Sequence, residues 1–162
     1  LALHAWLRGM DFLAEDAVFV QPGRLLATGI GNYLHVTEDA FGFVADEGVR
    51  AWIRAAPTIR RRSGVEKYEA DLRHGPGRLA PAAMTLASVV LMSARVADDP
   101  ARLILPLPDG AIPELLAADQ PYASAQAGWD SFVHACQRVG VHRLERGVHP
   151  GDGVAALSSL LD

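Results

Sequence analysis

The amino-acid sequence predicts an α/β fold built on a mixed central sheet with flanking helices. Two patterns carry that prediction. Residues 17–28 read as a hairpin with Pro22 and Gly23 at its turn. Residues 128–145 read as a helix followed directly by a strand. A chain with both hairpin-linked and helix-linked strands fits a sheet that mixes antiparallel and parallel pairs. At 162 residues, with hydrophobic side chains making up 50% of them, the chain is long enough to bury a core and is expected to form one domain, residues 1–162.

The first helix is marked by Leu3, Trp6, Leu7 and Met10, which share one face at helical spacing, and by Gly9 at the position of a C-terminal cap. It runs into the apolar stretch 12–20, FLAEDAVFV, which predicts a buried strand carrying two adjacent carboxylates, Glu15 and Asp16. Such a pair has two readings. It is a surface turn between strands, or it supplies the acids that hold magnesium and accept a proton at a phosphoryl-transfer site. After the hairpin, residues 29–32 (Gly-Ile-Gly-Asn) form a loop. Two glycines let a backbone approach a phosphate, but without a third glycine an ordinary turn is the simpler reading.

A short strand follows at 33–36, then a helix at 46–55 with Val49, Trp52 and Ile53 on one side and Pro57 beyond its end. Arg60, Arg61 and Arg62 form either a solvated loop or a grip for phosphates or an acidic peptide, since guanidinium pairs bidentately with such anions. The alternation over 65–72 predicts a strand, and the apolar run 79–92 predicts a buried one. Residues 93–100 read as a loop, 101–105 as a strand and 113–118 as a helix. The helix at 128–139 is marked by Trp129, Phe132, Val133 and Cys136 on one face. A strand at 141–145 precedes a terminal helix carrying Val154, Leu157 and Leu161, with Asp152 as its expected cap.

Composition narrows the function classes. A formal charge of -4 and a pI near 5.8 argue against a general nucleic-acid or anionic-membrane surface. The run 79–92 is too short for a membrane helix and is interrupted by Pro81, Thr85 and Ser88. One cysteine, Cys136, excludes an internal disulfide framework, and no Cys and His cluster has zinc spacing. His134, two residues from Cys136, reads as helix packing. The opening has no initiator Met, no basic n-region and no small-residue cleavage site, so it reads as a cut end and not as a signal peptide, and a cytoplasmic protein is expected.

The order of helix, Arg8-Gly9, apolar stretch and Ala14-Glu15-Asp16-Ala17-Val18 resembles the HPr serine kinase/phosphorylases and their HPr-kinase-like relatives. In that family a Walker A phosphate loop is followed by a helix, Arg-Gly, and an apolar strand ending Ala-Asp-Asp-Ala-Val. Here Glu15 stands in place of the first Asp, one methylene longer, and Asp16 falls on the family's catalytic Asp. The segment at 72–80, with Arg73, Pro76 and Arg78, resembles the family's Arg-Pro-Gly-Arg-Asn-Leu-Ala loop, with an extra residue between Arg73 and Pro76 and no Asn before Leu79. The ending at 141–147 followed by a helix is also similar.

That resemblance implies a P-loop kinase domain of the phosphoenolpyruvate-carboxykinase-like type, lacking the first strand and phosphate loop, which would precede Leu1. The loop's hydroxyl residue would lie two positions before Leu1 and its Lys three. It implies an ATP-dependent serine kinase with Asp16 as base, Glu15 in a supporting or metal-proximal role, Arg78 and Arg73 toward the nucleotide, and Mg2+ with ATP as cofactors. The implied partner is a protein or peptide substrate, HPr-like or a ribosomal precursor peptide, and homo-oligomers occur in the family. Glu15 and the altered arginine loop also fit a second reading, a non-catalytic nucleotide- or partner-binding module with a degenerate kinase site.

Overall fold

The structure, a computed structural model, describes residues 1–29, 32–60, 62 and 64–161. The chain runs α1 (Ala2–Leu7), β1 (Val18–Gln21), β2 (Leu26–Gly29), β3 (Tyr33–Val36), α2 (Glu47–Arg54), β4 (Thr58–Arg60), β5 (Glu66–Asp71) and β6 (Met84–Thr85). It continues through β7 (Val89–Val96), β8 (Ile104–Pro106), α3 (Ile112–Asp119), α4 (Pro121–Ser124), α5 (Trp129–Val139), β9 (Val141–Arg146) and α6 (Pro150–Ser158). Short 3-10 turns occupy Glu38–Phe43, Leu72–His74 and Asp109–Ala111. The α/β class holds. The single central sheet does not: the described strands form three three-stranded sheets, ordered β1-β2-β6, β3-β5-β4 and β7-β9-β8. The chain divides into two compact units, Leu1–Val18 with Gly29–Ala82, and Phe19–Thr28 with Ala83–Asp162.

In the first unit, the antiparallel register of β3 and β5 sets Leu34 opposite Ala70 and Val36 opposite Tyr68. Leu34, Val36 and Ala70 are buried. The intervening pairs, Tyr33 with Asp71 and His35 with Glu69, take the other face, because successive strand residues point to opposite sides. The apolar face packs in a core with Leu3 and Trp6 of α1, Phe41, and Val49 and Ile53 of α2. Burying each such large side chain contributes on the order of 1.5–3 kcal/mol. Helix α2 starts where expected, with the Asp46 carboxylate accepting the Val49 N–H at 3.0 Å. Gly9, at φ +90, follows the last turn of α1 as the cap reading required.

The Gly-Pro-Gly at 75–77 has a packing explanation. The indoles of Trp6 and Trp52 lie 5.6 Å apart, centroid to centroid. A Cβ on Gly75 would fall 2.2 Å from the Trp6 ring, and one on Gly77 would fall 2.3 Å from it. Only a bare backbone fits against these indoles.

The stretch 12–20 differs from the expected continuous strand. Phe12 is buried and makes an isolated parallel bridge to Leu79, the chain bends at Glu15 and Asp16, and β1 begins only at Val18. The apolar run is divided between two destinations: Phe12 enters the first core, while Val18 and Phe19 remain exposed.

In the second unit, β7 and β9 are parallel and β8 pairs antiparallel with β9, so a mixed sheet exists on this smaller scale. Ile112 and Leu116 of α3, Val133 and Cys136 of α5, Val141 and Leu25 form its core, with Val89 and Leu91 packed against them. Leu25 holds φ +50 and is 4% exposed; its burial compensates a left-handed backbone that is costly for a branched side chain.

The expected strand at 79–92 is instead three pieces: the Leu79 bridge, β6 and the start of β7. Residues 93–96, expected in a loop, extend β7 past a register shift after Met92, because β9 supplies their pairing. The strand expected at 101–105 is shorter and shifted: β8 covers only Ile104–Pro106. The terminal helix is capped by His149, whose Nδ1 accepts the Gly151 N–H at 2.9 Å; Asp152 sits one turn in and accepts the His149 N–H at 2.9 Å. No helix among the described residues is long and apolar enough to cross a membrane.

Candidate functional site

The acid pair lies in the first unit on the bend between Phe12 and β1. Two contacts hold the approach to it. Phe12 donates its N–H to the Arg78 carbonyl at 3.0 Å, and Ala80 donates to the Phe12 carbonyl at 2.8 Å. The segment bearing Glu15 and Asp16 and the arginine loop, far apart in sequence, thus run side by side. Gly29 packs against the other flank. A Cβ there would lie 2.2 Å from the Leu13 carbonyl oxygen and 2.7 Å from the Ala14 Cβ, so the absence of a side chain lets the bend seat against the end of β2. That is the structural reading of Gly29; Ile30 and Gly31 of the same predicted loop lie outside the described residues.

Glu15 is held by one residue that the sequence did not single out. His35 donates its backbone N–H to Glu15 Oε2 at 3.0 Å, and its ring Nδ1 lies 2.6 Å from the same oxygen. The ring Nε2 lies 3.4 Å from Glu69 Oε1. The His35 side chain is 14% exposed and that of Glu15 22%, whereas Asp16 is exposed. Glu15, Asp16 and His35 each offer one ligand atom, all within 4.8 Å of one another. His35 and Glu69 face each other only through the β3–β5 register, a long-range pairing that no local motif encodes. The available signal was the alternation of both strands, which puts His35 and Glu69 on polar faces.

The two arginines from the loop stand apart from this cluster in their contacts. Arg73 pairs with Asp71 through Nε at 2.8 Å and Nη2 at 2.5 Å, and reaches the Tyr33 hydroxyl at 3.0 Å. Hydrogen bonding from Arg73 holds the Asp71 carboxyl well below its ordinary value, at about 2, and Asp71 in turn raises Arg73. Arg78 pairs with Asp11 at 2.8 Å and donates to the Gly9 carbonyl at 3.1 Å, tying the loop to the end of α1. Of the arginine run, Arg60 pairs with Glu66 across β4 and β5 at 2.6 Å, Arg62 is exposed, and Arg61 lies outside the described residues.

Glu15, Asp16 and His35 are placed so that they could hold a metal ion, an arrangement common among exposed acidic groups that hold none. Two adjacent carboxylates suffice for a hard, oxygen-seeking cation that keeps several waters, and Glu15 Oε1 is not the oxygen bonded to His35. Nucleotide phosphates would have to displace Asp71 or Asp11 from the arginines. Cys136 is fully buried, and burial pushes its thiol up to about 11; His134 is exposed, so Cys136 packs in the core and His134 does not take the packing role expected of it. Comparison with protein-family models, with curated proteins and with solved structures gives no match.

Proposed function

We propose that the chain carries the carboxylate side of an ATP-dependent serine kinase site of the HPr-kinase-like type, within a P-loop kinase fold. The observation that carries the reading is the division of labour in the acid pair: Glu15 is anchored by two donors on His35, while Asp16, next along the bend, is exposed. An exposed carboxylate can meet a substrate hydroxyl, and an anchored one keeps its position beside a charged group. In this reading Asp16 accepts the proton of a protein or peptide serine hydroxyl as its oxygen bonds to the γ-phosphorus and the bond to the departing diphosphate breaks. Glu15 would hold magnesium, which would supply charge neutralisation on the phosphoryl oxygens.

The arginine loop supports the same reading by running beside the acid-bearing segment. The side chains of Arg78 and Arg73 are 73% and 47% exposed. Exposed ion pairs are worth only about 0–1 kcal/mol, so a phosphate can compete for either guanidinium. An HPr-like protein or a ribosomal precursor peptide is the acceptor, and the reaction is placed in the cytoplasm, with self-association as in the family.

One observation favours a second reading, a non-catalytic nucleotide- or partner-binding module: both arginines are already satisfied by their own carboxylates. Without the phosphate loop this chain alone is expected to bind nucleotide poorly, so transfer of label from γ-labelled ATP with Mg2+ to a serine-bearing protein or peptide, by the protein that includes the residues encoded before Leu1, separates the two. The kinase reading expects Asp16→Asn to lower turnover by about 10²- to 10⁴-fold while nucleotide binding persists. Nucleotide binding with no turnover in either protein supports the binding module.

A further inference from the structure

We infer that His35 is the positioning residue of the acid pair, and that Glu69 holds the His35 ring in turn. What it positions rests on the phosphotransfer reading; how it does so rests on geometry alone. An ionised carboxylate offers only acceptors, so the 2.6 Å contact between Nδ1 and Glu15 Oε2 requires a proton on Nδ1, and Glu69 Oε1, 3.4 Å from Nε2, holds the ring only through a proton there as well. The backbone N–H of the same residue reaches the same oxygen at 3.0 Å. Two donors from one strand position fix Glu15 more firmly than a side chain alone, because one of them belongs to the sheet.

The ring itself has little freedom. Its Nε2 faces Glu69 Oε1 at 3.4 Å, and the register that sets His35 opposite Glu69 also sets Tyr33 opposite Asp71 on the same face. There the Arg73 and Tyr33 contact closes the neighbouring position. Below the bend, Gly29 seats the backbone of Leu13 and Ala14. The bend is therefore packed on one flank and hydrogen-bonded on the other, and Asp16 on it is exposed. His35 acts through Glu15 and not on the reacting atoms. A sequence without His35 would keep both acids and lose the element that orders them.

Two readouts test this. Long-range proton–nitrogen NMR of the 162-residue chain is expected to show Nδ1 of His35 protonated, with that signal displaced by Glu15→Leu and broadened by Glu69→Ala. In phosphate transfer, His35→Ala is expected to lower kcat by about 10²-fold, the scale of a 1 Å misplacement, with KM for nucleotide little changed. His35→Asn, whose amide N–H can occupy the place of Nδ1, is expected to restore most of the rate. If His35→Ala does not fold, Glu69→Ala serves instead, with a smaller drop in kcat. A ring protonated only on Nε2, or a wild-type kcat in His35→Ala, overturns the inference. Phosphate transfer is measured on the protein that includes the residues encoded before Leu1; that protein showing the Nδ1 signal but no phosphate transfer refutes the phosphotransfer reading and leaves the anchoring of Glu15 by His35 standing.

Discussion

Two histidines on strands, one in each unit, show how differently the two halves use the same side chain. His35 on β3 lies between the carboxylates of Glu15 and Glu69. His142 on β9 has its Nδ1 3.0 Å from the Ser88 hydroxyl, which also lies 3.2 Å from the Gly140 carbonyl. The first arrangement concentrates charge at a bend beside an exposed carboxylate. The second ties a ring to a hydroxyl that also meets a backbone carbonyl. The difference lies in what each sheet does with its second face. The β3-β5-β4 sheet keeps one face polar, whereas β7 and β9 set Val89, Leu91 and Val141 in or against a core with α3 and α5.

That contrast can be broken by substitution. The largest effect is expected at Asp16, where the Asn variant loses about 10²- to 10⁴-fold in turnover, while Ser88→Ala in the second unit leaves turnover unchanged. Core substitutions come next. Ile53→Ala should destabilise the first unit by about 2–5 kcal/mol, since Ile53 is fully buried, and a denaturant midpoint measured through Trp6 and Trp52 should fall. Overpacking is expected to cost less: Gly77→Ala places a methyl group on the Trp6 ring and should cost about 1–3 kcal/mol by the same measurement, with amide exchange slowest to change around α5.

The smallest expected effects are in pH dependence, and they fall at opposite ends of the scale. Asp71 titrates at about 2 against an ordinary 3.8, so its contribution is present above 3.8 and is lost as pH falls through about 2. Cys136 is raised from 9.0 to about 11, so its contribution is present below 9.0 and is lost as pH rises through about 11. Acid unfolding followed by Trp6 and Trp52 should lose its last limb in Asp71→Asn, and alkaline unfolding followed by Trp129 should shift upward in Cys136→Ala.

Local signals in the sequence were read correctly where one element decided them. The cap at Gly9, the start of a helix at Asp46, the turn at Pro22 and Gly23, and the face shared by Val133 and Cys136 each depend on residues within a few positions. Apart from the cap of α6, where His149 takes the place expected of Asp152, what was misread depends on distant partners. The run 79–92 looks like one strand until β9 claims only its end, and FLAEDAVFV looks continuous until Phe12 pairs with Leu79 and the rest goes elsewhere. At the candidate site, Glu15 and Asp16 were visible as an acid pair, but His35 was not. Its meaning comes from facing Glu69 across a register that pairs residues from two separate strands. The arginines were visible as charges, and the aspartates that satisfy them were not, since Asp11 meets Arg78 only because Phe12 runs beside Leu79.

The phosphotransfer account is tested most directly by determining the residues encoded immediately before Leu1. The account predicts G-x-x-x-x-G-K-[ST], with its Lys three positions before Leu1, so that helix α1 follows a phosphate loop and the acid pair lies beyond it. An unrelated sequence at those positions would contradict the kinase reading. It would leave an α/β chain whose acid pair is ordered by His35 for some other purpose.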